Sequence, residues 1–250
     1  APGKPRETRW TVVSDRTIPL GFQKDFLDMA GDVLDRAKLS DHTGLIGRFP
    51  AAYIRRKNAL YRKYKVPTYP GGVPFELAYL ERKVKPFFEA ALGLGFAGIE
   101  ISADTIPPIP RQERTALIKT AKRLGLEVHT EVGEKLSDTA IQVDDAVASI
   151  QADLEAGAHK VAIENNDLVR LFKHEPRAIV DIVKRVGLEH VSFEIGPAGW
   201  PEMPGWLITE FGPDVNVQNI MPEQIVPFEA IRRGLNRLTG YTYLMNHPNR

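Results

Sequence analysis

Four glutamates recur at one place in a repeating pattern. Glu100 lies in GIEIS, Glu131 in HTEVG, Glu164 in VAIEN and Glu194 in SFEIG. Each closes a short run of apolar and β-branched residues, so each is a carboxylate at the C-terminal end of a predicted strand. Burying such a group is costly unless it meets a metal, a cation or a hydrogen-bond network. Four at close range repel and raise one another's pKa, so something positive must stand among them. With oxygen donors, no cysteine and little histidine nearby, the fitting ion is hard: Mg2+, with Mn2+ as the alternative. Glu100, Glu131, Glu164 and Glu194 are therefore candidate metal ligands, and Glu131 is also a catalytic candidate. Because Mg2+ takes only one or two carboxylates beside water and substrate oxygens, some of the four are expected to bond water, lysine or substrate instead.

Positive charge falls at strand ends too. Lys38 lies on the second strand, Lys135 just beyond Glu131 in EVGEK, and Arg16 after Asp15 at the end of the first strand. A lysine beside a cation-stabilised enolate suits the role of general acid, which makes Lys135 and Lys38 catalytic candidates. Arg16 is a candidate for holding substrate. Tyr69-Pro70-Gly71-Gly72 closes the third strand. Gly71 and Gly72 permit close backbone approach and offer N–H groups to an anion, although a tight turn makes the same demand. His42, in SDHT, and Asn219, at the end of the last strand, are further candidates for substrate contact; Asn216 on that strand is also polar among apolar neighbours. His129, two residues before Glu131, shares its inward face and reads as a hydrogen-bonded core histidine before it reads as a ligand. The expected partner of such a mouth is a small anionic substrate.

These residues need a frame that brings strand ends together. Short β-branched runs alternate with helical patterns, the signature of a parallel sheet. Strands are predicted at Thr11–Asp15, Arg36–Leu39, Val66–Tyr69, Ala97–Ile101, Leu126–Val132, Lys160–Glu164, His190–Ile195 and Val215–Ile220. Helices are predicted at Gly21–Val33, Ala51–Lys65, Glu76–Leu94, Pro110–Leu124, Asp144–Ala156, Glu175–Val186, Pro201–Phe211 and Glu223–Leu235. Eight strand–helix units in 250 residues match one (β/α)8 TIM-type barrel, read as a single domain over 1–250 with 236–250 a tail of uncertain order. In that fold all strands point their C-terminal ends at one mouth. The helix-Gly-strand junctions at Gly95, Gly125, Gly157 and Gly187 repeat because a helix C-terminus favours a residue tolerant of positive φ.

Composition narrows the classes further. A net charge of +1 with interspersed acids and bases argues against nucleic acid or a membrane as partner. The absence of cysteine removes disulfides, thiolate metal sites and cysteine nucleophiles. There is no Gly-x-Ser-x-Gly, Walker loop or dinucleotide fingerprint. The polar start from Ala1 to Arg9 does not read as a signal peptide, and the expected location is the cytoplasm. The basic stretch from Arg55 to Lys63 reads as a solvated helix face.

Taken in order, the motifs resemble those of the phosphosulfolactate synthase family of coenzyme M biosynthesis. The resemblance runs from about Thr11 to Leu235 and rests on several stretches. They are Tyr69-Pro70-Gly71-Gly72 with Phe75-Glu76 and Ala78-Tyr79, Ile99-Glu100-Ile101-Ser102, Thr130-Glu131-Val132-Gly133 with Lys135, and Phe193-Glu194. Phe211-Gly212, Val215-Asn216, Asn219-Ile220 and Arg232-Arg233-Gly234-Leu235 complete the set. The resemblance implies a Mg2+-dependent barrel lyase that adds sulfite to phosphoenolpyruvate to give phosphosulfolactate. It also implies Lys135 as proton donor, a matching lysine at Lys38, and a homo-oligomer, by family a trimer. This sequence departs from the family pattern in three loops. Leu39–Thr43 stands in place of a Phe-Gly-Trp-Gly-Thr-like stretch, Ala103-Asp104 in place of Asp-Gly, and Asn165–Leu168 where an Arg-Glu-Ser-Gly run is usual. Since arginine is the natural fork for phosphate or sulfonate oxygens, the last change points to a rebuilt anion site. The same frame is therefore also compatible with another substrate, or with a member that has lost catalysis.

Overall fold

The computed structural model describes residues 3–16, 18–39, 48–135, 138–139 and 141–247. Eight strands form one parallel sheet: β1 Thr11–Asp15, β2 Arg36–Leu39, β3 Thr68–Pro70, β4 Gly98–Ile101, β5 Glu127–Val132, β6 Lys160–Ile163, β7 Val191–Glu194 and β8 Val217–Ile220. Their order is β3-β2-β1-β8-β7-β6-β5-β4. The first and last strands in sequence, β1 and β8, are thus laddered neighbours. The remaining seam, between β3 and β4, is bridged by the Ala97 N–H donating to the Thr68 carbonyl at 2.9 Å. The result is the expected (β/α)8 barrel.

Eleven α-helices are described: α1 Leu20–Ala30, α2 Ala51–Lys63, α3 Gly72–Leu80, α4 Val84–Gly93, α5 Arg111–Arg123, α6 Val143–Ala156, α7 Asn165–His174, α8 Pro176–Val186, α9 Glu202–Phe211, α10 Ile225–Arg232 and α11 Thr242–Met245. None is long and apolar enough to cross a membrane. Strand alternation explains the layering. Ile99 and Ile101, Val128 and Val132, Val161 and Ile163, and Val191 and Phe193 point outward and join the helices in the main core. The inner face carries the polar set instead, so this barrel interior is ionic where most are packed with branched aliphatics.

Its floor is sealed. Trp10 stacks on His159 at 5.1 Å, with the Arg36 guanidinium 4.2 Å and the Lys160 ammonium 4.4 Å from its ring centroid. Glu127 takes two Arg36 bonds at 2.8 Å and His129 Nε2 at 2.8 Å. His129 also stacks on Tyr69 at 4.4 Å, which makes it a core histidine. Asn216 belongs to this lower level: it accepts from Trp10 N–H and donates to the Leu188 and Val191 carbonyls.

Four local expectations are corrected. The single helix expected over Glu76–Leu94 is two, α3 and α4, with Arg82 at φ 56° between them. Pro86 explains the break: in a continuous helix its ring clashes with the Arg82 carbonyl and it lacks an N–H to donate. The segment after Glu164, left without structure by the pattern, is the helix α7. The basic stretch is not wholly solvated, because Lys57 is buried against Asp15 at 2.8 Å, where Tyr61 Oη also donates at 2.9 Å. The tail is ordered as far as 247: Asn236 Oδ1 accepts from Leu238 N–H, and α11 follows.

Candidate active site

The mouth is built from the ends of β2, β4, β5, β6, β7 and β8. On β2, Lys38 points inward and its Nζ lies 2.8 Å from Glu100 Oε1 on β4. Their side chains are 3% and 1% exposed, so this is a desolvated pair. Burial by itself pulls Lys38 down, but Glu100, Glu194 and Glu131 together outweigh it and hold the ammonium well above the ordinary lysine value. Burial pushes the Tyr69 hydroxyl well up, and the Glu100 charge adds to it.

Glu131 on β5 and Glu194 on β7 meet across the mouth. Burial of Glu131, then the charge of Glu194 and a hydrogen bond between the two carboxyls, raise the Glu131 pKa well above the carboxylate range. Apart from that contact with Glu194, neither Glu131 oxygen has a fixed donor among the described residues, nor does Asp104 Oδ1. Glu164 follows β6 as the N-cap of α7, its carboxylate accepting from the Asn166 and Asp167 N–H groups. Burial and the Glu194 charge raise its pKa even so.

Asn219 reaches the mouth through a break in register. β1 and β8 pair Thr11 with Val217 but Val13 with Ile220, which leaves one extra residue on β8. Asn219 sits there at φ 60° and its Nδ2 donates to Glu194 Oε1. Lys135, beyond β5, holds Asp104 twice: its ammonium bonds Asp104 Oδ2, and its N–H donates to the Asp104 carbonyl at 3.1 Å. The loop carrying Lys135 is tied to α7, since Asp167 accepts from Glu134 N–H at 2.9 Å and Ile141 N–H at 2.6 Å. Gly133, at φ 115°, makes this possible; a Cβ there would stand 2.5 Å from Asp167 Oδ2.

The remaining candidates are more peripheral. Arg16 is exposed past the end of β1. The Gly71 N–H is engaged by the Leu39 carbonyl at 3.3 Å, which removes it as an anion donor. Gly72 begins α3, and a Cβ there would stand 2.2 Å from Ser102 Oγ and 3.1 Å from Glu100 Oε1, so its bareness serves close packing at the mouth. His42 lies outside the described residues.

Three carboxylates come close enough together to hold a cation, with a membership different from the four glutamates. Asp104, Glu131 and Glu164 are all buried and each offers a ligand atom within 4.8 Å of the others. All are hard oxygen donors, and the orphan acceptors on Glu131 and Asp104 fit a divalent ion of the Mg2+ type. Glu100 is drawn toward Lys38 and Glu194 toward Asn219. Asp104 was visible in the sequence only as a departure in the loop after β4; its distance in sequence from Lys135 hid the pairing. Arg114 braces the site from behind, donating to the Glu131 carbonyl at 2.9 Å and to Asp153 at 2.7 Å. A cleft of about 440 Å³ lined by Glu131, Gly133, Glu134 and Asp167 opens alongside.

Residues 1–237 match the family model described as (2R)-phospho-3-sulfolactate synthase (ComA). The chain is 34% identical over 242 residues to the phosphosulfolactate synthase of Methanothermobacter thermautotrophicus, covering 93% of this chain and 92% of that one. It is 34% identical over 234 residues to the enzyme of the same name from Methanocaldococcus jannaschii, covering 90% and 91%. Among solved structures, the HMG-CoA lyase of Brucella melitensis superposes with a TM-score of 0.59 at 12% identity, covering 96% of this chain and 98% of that one. That last likeness concerns the barrel alone.

Proposed function

The chain belongs to the (2R)-phospho-3-sulfolactate synthase family, and from that premise we propose that it is a Mg2+-dependent carbon–sulfur lyase joining sulfite to phosphoenolpyruvate. Membership makes it an enzyme of this family; the metal, the two substrates and the residue roles are our reading. In the reaction the sulfite sulfur pair attacks the methylene carbon of phosphoenolpyruvate, forming the C–S bond. The C=C pair shifts toward the carboxylate, and C2 then takes a proton to give phosphosulfolactate.

The observation that carries this reading is the Asp104–Glu131–Glu164 cradle with Lys135 on Asp104 at its edge. Asp104, Glu131 and Glu164 would hold the cation, which when bound supplies positive charge against the substrate carboxylate. Lys135 is the general acid at C2, and Asp104 aims its ammonium. Lys38, buried in its pair with Glu100, stabilises negative charge at the mouth without needing to move. Asn219 holds Glu194 in place beside Glu131.

The test is product formation followed by 31P NMR with phosphoenolpyruvate, sulfite and Mg2+, against the same mixture with EDTA. Lys135→Met is expected to lower kcat by about 10²–10⁴-fold, the usual worth of a positioned general acid. Lack of product with either Mg2+ or Mn2+, or turnover indifferent to EDTA, refutes the reading. One observation favours a different nucleophile in place of sulfite. The start of α7 carries Asn165, Asn166 and Asp167, and Asp167 is spent on backbone N–H groups, so an arginine fork is not supplied there. A screen of small nucleophilic anions with phosphoenolpyruvate separates the two.

A further inference from the structure

One buried carboxylate near the mouth takes no part in the chemistry above. Glu76 lies one turn into α3 and is 2% exposed. Its donors are two hydroxyls and an amide. Ser102 Oγ donates to Oε1 at 2.6 Å, Asp104 N–H donates to the same oxygen at 3.0 Å, and Thr105 Oγ1 donates to Oε2. All three come from the loop that leaves β4. Gly72, a turn earlier on α3, leaves the space that Ser102 occupies.

A buried charge satisfied by three donors from one short loop fixes the path of that loop. The loop has one functional member, Asp104. Its N–H is held by Glu76, its carbonyl by Lys135 N–H, and its carboxylate by the Lys135 ammonium. The order of support therefore runs from α3 through Glu76 to Asp104 and on to Lys135. We propose that Glu76 is a positioning residue: it sets where the Asp104 carboxylate stands, and through Asp104 it aims the Lys135 ammonium. It touches neither substrate nor cation. The proposal rests on the role given to Lys135 above for its kinetic consequence, but not for its geometry.

Glu76→Gln keeps the size of the side chain and replaces an acceptor oxygen by an NH2 group, which meets donors with a donor. Thr105→Val removes a single donor and leaves Glu76 in place. Two readouts apply to wild type and both variants. The first is the rate at which Lys135 is acetylated by acetic anhydride, read by mass spectrometry, with exposed Lys24 as internal reference. The second is kcat and KM with phosphoenolpyruvate, sulfite and Mg2+. Thermal melting reports the fold.

In Glu76→Gln the Lys135 labelling rate is expected to rise several-fold relative to Lys24. Loss of kcat is expected at about 10–100-fold, the usual worth of a residue that orients a site ligand, with KM changing little. Thr105→Val is expected to move both in the same direction by less. Wild-type labelling and kcat in both variants overturns the proposal and leaves the assigned reaction standing. A labelling increase in a protein that makes no product from these substrates supports the positioning role and removes the assigned reaction, so the two failures are distinct.

Discussion

Replacing Lys38 with methionine keeps most of the side-chain volume but strips Glu100 of the ammonium 2.8 Å away. Both groups are almost fully desolvated, so water cannot take the place of the lost charge. Removing one partner of such a pair costs about 3–5 kcal/mol. For a chain of this size that is roughly 6–20 °C in the melting midpoint. The cost carries a pH signature. Lys38 sits well above the ordinary lysine value and stays charged throughout neutral pH, so the wild type keeps the pair from acid to neutral conditions. In the variant, Glu131 loses the Lys38 charge that pulls its pKa down, so its native pKa rises further. The native state then holds protons that the unfolded chain has released, so stability falls as pH climbs above the ordinary glutamate value of about 4.3, by at most about 1.4 kcal/mol per pH unit per proton. Urea unfolding in EDTA at pH 5, 6, 7 and 8 is the assay. The deficit is expected to be small at pH 5 and full by pH 7–8, and Lys38→Met/Glu100→Gln should recover much of it. A deficit below about 1 kcal/mol at pH 8, where a buried pair should cost several times that, refutes the argument, as does one that is flat across the series.

Two further outcomes follow from the same site, and a third from a glycine away from it. Burial and then the Glu194 charge raise the Glu131 pKa well above the ordinary carboxylate range, so a cation entering between Asp104, Glu131 and Glu164 competes with a proton there. Calorimetric Mg2+ titration at pH 7 should therefore show a heat that depends on buffer ionisation enthalpy, with apparent affinity rising about tenfold per pH unit for each proton lost, and a heat independent of buffer would contradict it. Gly133→Ala should destabilise by about 1–3 kcal/mol and lower activity, because it forces a left-handed alanine whose Cβ stands 2.5 Å from Asp167 Oδ2. Gly93→Ala, where a Cβ meets nothing within 4 Å, should by contrast be neutral or stabilising by up to about 1 kcal/mol in the same urea titration.

The barrel and the place of its mouth were legible because both rest on local, periodic signals. Alternation along GIEIS or VAIEN assigns Glu100 and Glu164 to the inner face without reference to any neighbour. Lys38 and Glu131 were legible by the same rule. A local signal overrides a longer pattern at Pro86, which divides the periodic run of 76–94 into α3 and α4. Glu164 likewise serves two ends at once, as the carboxylate at the end of β6 and as the N-cap of α7, and the strand pattern carries only the first.

What the amino-acid order determined by itself is therefore which side chains face inward at the strand ends, and that their charges require a counter-charge. Which of them come close enough to share an ion was decided only by the tertiary structure. Asp104 joins Glu131 and Glu164, while Glu100 turns to Lys38 and Glu194 to Asn219. That choice depends on strand tilt, on the extra residue in β8, and on loops pinned by Glu76 and Asp167. Carboxylates discriminate among partners over distances of about an ångström, and a separation of that size between loops from different strands is set by the closed sheet.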